Sequence, residues 1–315
     1  NESKASLERL RFTKTGGDTK IGATVLAGVE DITEKTAGVA AALNASRMLY
    51  DGGRLNAKID ADTFYSKAKE QAYLAKHGDR ARVLLHMWID LERYQELKIL
   101  IDSRLSILDP LMVQLEEVAT AGVGDISQVA SAQRTVSSIL VAQNEVSDKY
   151  EQSKIAFVSS FGTLPSKVRY DAAWVATAVS DSPASQLAEK SPGLLFKYWA
   201  YRSSEASLVA VKSLDNFSVG LEANLQRPFG GSGSGSDESI GFIVSKNFYR
   251  GDQLDSQVKQ AEATAQVLAA EVGAVYRDGE LALLAAREMV KSMDIAIALA
   301  KLNAASSREE IEYLR

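Results

Sequence analysis

The chain has 315 residues, 46% of them hydrophobic and 24% charged, which is ample for a folded core. Its net charge of −5 argues against a nucleic-acid-binding protein, which usually carries a basic face. The lack of cysteine excludes disulfides, thiol catalysis and cysteine-ligated metals. No apolar run reaches the roughly 20 residues that a transmembrane helix needs.

The first elements are a charged helical segment over residues 1–16 and a β-hairpin over residues 19–49. In the first strand, alternate apolar residues from Ile21 to Val29 share one face, as period-two alternation requires. Residues 52–118 then lack helix breakers except Gly78 and Pro110, and we expect Pro110 to kink or locally unwind a very long helix. Its apolar stripe recurs at three- and four-residue steps and comprises Leu84, Trp88, Leu91, Tyr94, Leu97, Ile101, Leu105 and Leu108.

A turn at residues 121–125 (AGVGD) interrupts this pattern and predicts a helical hairpin over residues 52–161. Asp125 can cap the returning helix. The alternative to a functional role for these residues is that Asp125 serves only as a helix cap and that Gln128 is only a solvated residue. Residues 163–191 read as irregular, and a helix follows over residues 192–213.

A second hairpin is predicted over residues 216–249 and a second long helix over residues 252–315. The tract at residues 230–236 is built of Gly and Ser, so it is either a natural loop or an engineered replacement for one. The hairpin-to-helix passages also repeat, SRMLYDGGRL at 46–55 matching SKNFYRGDQL at 245–254. We therefore predict an internal duplication, with a first repeat over residues 1–198 and a truncated second repeat over residues 199–315.

Four strands cannot close a barrel alone, since small closed barrels need about eight. Either the strands pack on helices within one chain, or several chains pool their strands. One face of the second hairpin is polar, which favours a water-filled lumen. The candidate lumen residues are Ser218, Glu222, Asn224 and Gln226.

The repeated joints at residues 49–54 and 248–251, the turn at 121–129 and the helix start at 189–195 resemble the TolC family of bacterial outer-membrane channel-tunnels. The resemblance covers essentially the whole chain. It implies a mainly α fold with β-hairpins and a homotrimer. In that trimer, four strands per chain would form a shared 12-stranded outer-membrane β-barrel, and long helical hairpins would form a periplasmic α-barrel tunnel.

The resemblance also implies partners and a location. The protein would lie in outer-membrane lipid, extend into the periplasm, and meet a periplasmic adaptor (membrane fusion) protein and an inner-membrane ABC or other pump. Residues 163–191 would form a belt around the tunnel. The tip that contacts the adaptor or lines the aperture would comprise Gly122, Val123, Gly124, Asp125 and Gln128. By the repeat offset, a second tip would fall just beyond residue 315, so we expect a longer protein.

The joint at residues 50–54 (YDGGR) is closer to the type I secretion branch of the family than to the lipoprotein efflux branch. We therefore expect a passive exit duct for type I protein secretion. The alternatives are a multidrug-efflux component and, in a different class, a soluble coiled-coil scaffold. No catalytic motif is visible, and His77 and His86 lie nine residues apart, so we expect neither enzyme activity, nor a metal, nor a cofactor.

Overall fold

The computed structural model describes residues 2–31, 36–122, 126–165, 182–229, 237–246 and 252–313. Its four strands are β1 (Lys20–Asp31), β2 (Thr36–Tyr50), β3 (Ser218–Phe229) and β4 (Asp237–Ser245). Its α-helices are α1 (Glu2–Lys14), α2 (Arg54–Thr120), α3 (Ile126–Phe161), α4 (Ala184–Glu189), α5 (Pro192–Lys212) and α6 (Gln253–Tyr313). Short 3₁₀ turns at Thr15–Gly17 and Ser213–Asp215 precede β1 and β3.

The two long helices are confirmed. Helix α2 has 67 residues and α6 has 61, which correspond to about 100 and 90 Å at 1.5 Å per residue. Helix α2 runs through Pro110 without interruption, so the predicted local unwinding is wrong and a kink stays a prediction. Pro110 and Ser106 are both exposed, so water can satisfy the Ser106 carbonyl that the proline leaves without a helical donor.

The predicted irregular stretch at residues 163–191 is partly wrong, because α4 lies within it. A helix of six residues is not stable by helix propensity alone. Ala184 and Ala188 of this helix are buried, so tertiary packing stabilises it. The next helix starts where the sequence predicted. Ser191 caps α5 by accepting a hydrogen bond from the Leu194 amide at 3.2 Å, with Pro192 at the first position.

The strands form one four-stranded antiparallel sheet in the order β1-β2-β3-β4. The two predicted hairpins are joined by β2 and β3, whose register runs from Val39 opposite Phe229 to Tyr50 opposite Val219. In this sheet β1 and β4 are the two edge strands, and they run in opposite directions because the meander has an even number of strands.

Two compact units divide the chain. The first comprises residues 1–75 and 182–315 and includes the sheet. In it, Asp62 of α2 is buried and holds α1 by an ion pair to Arg9 (2.7 Å) and a hydrogen bond from Thr13. Helix α5 packs on α2 through Trp199, which stacks on Phe64 with ring centroids 5.7 Å apart. It is joined to α6 by surface ion pairs, each stabilising by at most about 1 kcal/mol: Lys197–Glu271 and Lys212–Glu262.

The second unit, residues 76–181, contains the part of the predicted helical hairpin formed by residues 76–120 of α2 and by α3. Among the described residues of this unit, Leu91 and Phe157 are the largest fully buried side chains, and Trp88 packs edge-on against Phe157 with ring centroids 5.3 Å apart. Farther along, Gln143 donates a hydrogen bond to Asp102 at 2.7 Å. All eight residues of the predicted apolar stripe are buried or half-buried, which confirms it as the packed face of α2.

Candidate channel-forming surfaces

The sheet has one polar face, built by directly opposed residues from all four strands. Opposed residues in antiparallel strands share a face, so the register defines its rows. The row nearest α2 that crosses all four strands contains Lys20, Ser46, Glu222 and Gly241. The next two rows contain Gly22, Asn44, Asn224 and Ser239, then Thr24, Ala42, Gln226 and Asp237.

The four residues predicted for a lumen therefore lie on this polar face. At its helix-proximal end the hydroxyls of Ser218 and Ser245 are 2.8 Å apart. Sequence reasoning missed the contribution of the first hairpin, notably Lys20 and Asn44. The signal was present, because Lys20, Gly22 and Thr24 alternate with apolar residues, but the five alanines of β2 weaken the contrast.

The opposite face is mainly apolar and uncovered, although among the described residues it also carries the charged Arg47, Arg227 and Glu238. It carries Ile21 and Val25 from β1, Leu43 from β2, and Ile240, Phe242 and Val244 from β4. These side chains are 52–78% exposed. A soluble sheet normally buries its apolar face against another layer, so this surface requires an apolar environment outside the single chain.

The strand-to-helix joint YDGGR at residues 50–54 has a definite local chemistry. The Asp51 carboxylate accepts a hydrogen bond from the Leu55 amide at 2.7 Å and thereby caps α2. Both Gly52 and Gly53 adopt the left-handed conformation, with φ of 72° and 86°. The Asn216 amide donates to the Gly52 carbonyl at 3.1 Å and ties the second hairpin to this joint. The corresponding joint at residues 248–251 lies outside the described residues.

The predicted tip is described only in part. The Gly122 amide donates to the Ala119 carbonyl at 3.1 Å, and Gly122 has a φ of 75°. Gly122 therefore ends α2, as we predicted from the turn at residues 121–125. Val123, Gly124 and Asp125 lie outside the described residues, as does the side chain of Gln128 within α3. Contact of these residues with an adaptor, or a place at an aperture, stays a prediction.

The tip-bearing hairpin also contains a perturbed carboxylate. Asp102 accepts hydrogen bonds from Gln143 at 2.7 Å and from Lys98 at 3.1 Å. The hydrogen bond from Gln143 has the largest effect and that from Lys98 the next, and both lower the pKa of Asp102 below its ordinary value. This cluster of Lys98, Asp102 and Gln143 joins α2 to α3, and we call it the clasp.

The described part of the chain contains no group of three or more His, Cys, Asp or Glu residues placed to hold a metal ion. Among the described residues no helix has the length and apolarity needed to cross a membrane.

The architecture is thus an antiparallel meander with two different faces, joined at one end of its strands to helices of about 90–100 Å. Comparison with solved structures finds this fold in outer membrane channels. CusC, studied for conformational changes accompanying folding and transmembrane channel formation, matches 97% of this chain and 74% of its own at 15% identity and a TM-score of 0.81.

Two further structures agree. The outer membrane protein VceC of Vibrio cholerae matches 92% of this chain and 74% of its own, at 15% identity and a TM-score of 0.73. The open-state MtrE outer membrane channel of Neisseria gonorrhoeae matches 93% and 70%, at 14% identity and 0.65. No protein-family model and no curated sequence matches the chain. The chain thus has the fold of TolC-family outer membrane channels, as the sequence resemblance predicted.

Proposed function

We propose that the protein is a subunit of an outer-membrane channel-tunnel that serves as a passive exit duct. In this proposal it works with a periplasmic adaptor and an inner-membrane pump, lies in the outer membrane and extends into the periplasm. The observation that carries the proposal is the uncovered apolar face of the sheet, set against a polar face lined by Asn44, Glu222 and Asn224. Lipid outside and water inside satisfy both faces at once.

The edges of the sheet support a shared barrel. Strands β1 and β4 each leave one row of backbone donors and acceptors unpaired within the chain. Because they run in opposite directions, β4 of one copy can pair with β1 of the next and continue the antiparallel order. Such a head-to-tail contact generates a ring when the rotation closes. Three copies, the number that the TolC resemblance implies, give 12 strands.

A further part of the proposal is the kind of cargo that the channel exports. We propose type I protein secretion rather than drug efflux because of the YDGGR joint at residues 50–54. In a strain that lacks this protein, the proposal predicts that a secreted polypeptide is retained while susceptibility to small toxic compounds is unchanged. Increased susceptibility with normal secretion would replace the proposal with multidrug efflux.

The duct itself is tested by extraction, native mass and conductance. We expect a trimer that is released from the outer-membrane fraction only by detergent and that conducts ions in a planar lipid bilayer. A monomer that needs no detergent and does not conduct would refute the duct and favour the soluble scaffold. That alternative predicted that the apolar hairpin faces would be buried within one chain, whereas Ile240 is 76% exposed.

Adjacent residues on β4 provide a matched pair of variants. Ile240→Lys places a charge on the apolar face, where a lipid-facing lysine costs about 2–4 kcal/mol at mid-membrane. Ser239→Lys places the same charge on the polar face. We expect the first variant to lose insertion into the outer membrane and the second to retain it. If both variants insert equally well, the apolar face does not meet lipid.

A further inference from the structure

The polar face carries a pair of opposite charges where the sheet meets the helices. In its two helix-proximal rows that span all four strands, the only ionisable residues are Lys20 and Glu222, which flank Ser46. Two strand spacings separate their backbones, about 10 Å. The other residues of these rows are glycine, serine and asparagine, so no bulky side chain screens the two charges.

A cleft of about 330 Å³ opens over this pair. Its charged lining residues are Lys20, Arg47 and Glu222 from the sheet, Asp18 and Asp51 from the segments next to it, and Arg54 and Lys58 from α2. Arg54 is already compensated by Asp51 at 3.8 Å. Lys20, Lys58 and Glu222 take part in none of the ion pairs found among the described residues. Their charges therefore face the solvent of the cleft.

We infer that the Lys20–Glu222 row forms a ring of alternating charges at the junction between the barrel and the helical tunnel, in which Glu222 favours and Lys20 disfavours the passage of small cations and of cationic groups of the cargo. This inference rests on the proposed function. In a ring of three copies, the row would recur as alternating cationic and anionic positions around the lumen. Rings of charged side chains set ion selectivity in channels. At 0.1 M salt the Debye length is about 10 Å, as long as the separation of the two charges, so each charge acts on ions throughout the row. At 1 M salt the Debye length falls to about 3 Å, and both charges are largely screened.

The test is the cation-to-anion permeability ratio of the full-length protein in a planar bilayer, measured from reversal potentials in a KCl gradient around 0.1 M. We expect Glu222→Gln to lower the ratio at least about twofold and Lys20→Gln to raise it by a similar factor, since local potentials of order kT change ion occupancy by such factors. Both shifts should shrink in 1 M KCl. The opposite signs distinguish a charge effect from a general disturbance of the pore.

Glu238→Gln is the matched control. It removes the same charge from β4, but Glu238 lies opposite Leu225 on the other face of the sheet and is 64% exposed. We expect it to leave the ratio unchanged. Unchanged ratios in both ring variants, or shifts of the same sign, would overturn the ring while leaving the duct intact. A wild-type protein that does not conduct would overturn the duct, and the ring with it.

Discussion

Replacing Gly52 with alanine tests the geometry of the strand-to-helix joint. A Cβ at this position would lie 2.4 Å from the Cβ of Asn216, far inside van der Waals contact. It would also hold a side chain at a φ of 72°. The conformation costs about 1–2 kcal/mol for a residue other than glycine. The clash adds roughly 1–3 kcal/mol. We therefore expect Gly52→Ala to lower the free energy of unfolding by about 2–5 kcal/mol.

The neighbouring glycine separates the two causes. Gly53 has a φ of 86°, but a Cβ there would meet nothing within 4 Å. Gly53→Ala should therefore cost only the conformational part, about 1–2 kcal/mol. Urea unfolding of the purified protein in detergent, followed by far-UV circular dichroism, measures both variants. Equal losses would refute the clash with Asn216.

A second-site variant tests the contact directly. Asn216→Gly removes the clashing Cβ together with the amide that donates to the Gly52 carbonyl. That hydrogen bond contributes about 0.5–1.5 kcal/mol. The double variant Gly52→Ala, Asn216→Gly should then lose less stability than the sum of the two single variants. Strict additivity would show that the residues do not interact.

Two further predictions concern the helical hairpin of residues 76–161. Phe157→Ala should lower the free energy of unfolding by about 3–5 kcal/mol, because Phe157 is 1% exposed. Ser159→Ala, at an exposed position of the same helix, should change it by less than about 0.5 kcal/mol, and equal effects would contradict the packing. The lowered pKa of Asp102 adds stability that is complete above its unfolded pKa of about 3.9 and is lost as pH falls through the lower, folded pKa. Asp102→Asn should remove this part of the acid unfolding profile, and an unchanged profile would show that the clasp does not stabilise the fold.

Local patterns predicted the elements well. The three- and four-residue steps from Leu84 to Leu108 reported the packed face of α2, because a helix that buries one stripe needs that spacing along its whole length. Alternation predicted the strands, and Gly122 predicted the end of α2. The short helix Ala184–Glu189 was missed because six residues carry little periodicity, and its packing comes from tertiary contacts.

Long-range features were harder to foresee. The pairing of β2 with β3 joins segments on either side of the helical hairpin, and no local pattern records it. The effect of Pro110 was misjudged because a single missing hydrogen bond matters little at an exposed position of a 67-residue helix. The candidate lumen face was predicted only from the second hairpin. In the first hairpin, the small residues of β2 blur the alternation of polar and apolar residues, so Lys20 and Asn44 were not recognised as part of the same face.

The β2–β3 ladder also constrains the order in which the protein can fold. The hairpin of β1 and β2 is complete by Tyr50, but its partner strand begins only at Ser218, after α2 and α3 have been made. Closing so long a loop is entropically costly, and such non-local pairing is slow. During synthesis, the first hairpin is therefore complete while β2 still lacks its partner strand and its apolar face is uncovered, a combination that favours aggregation.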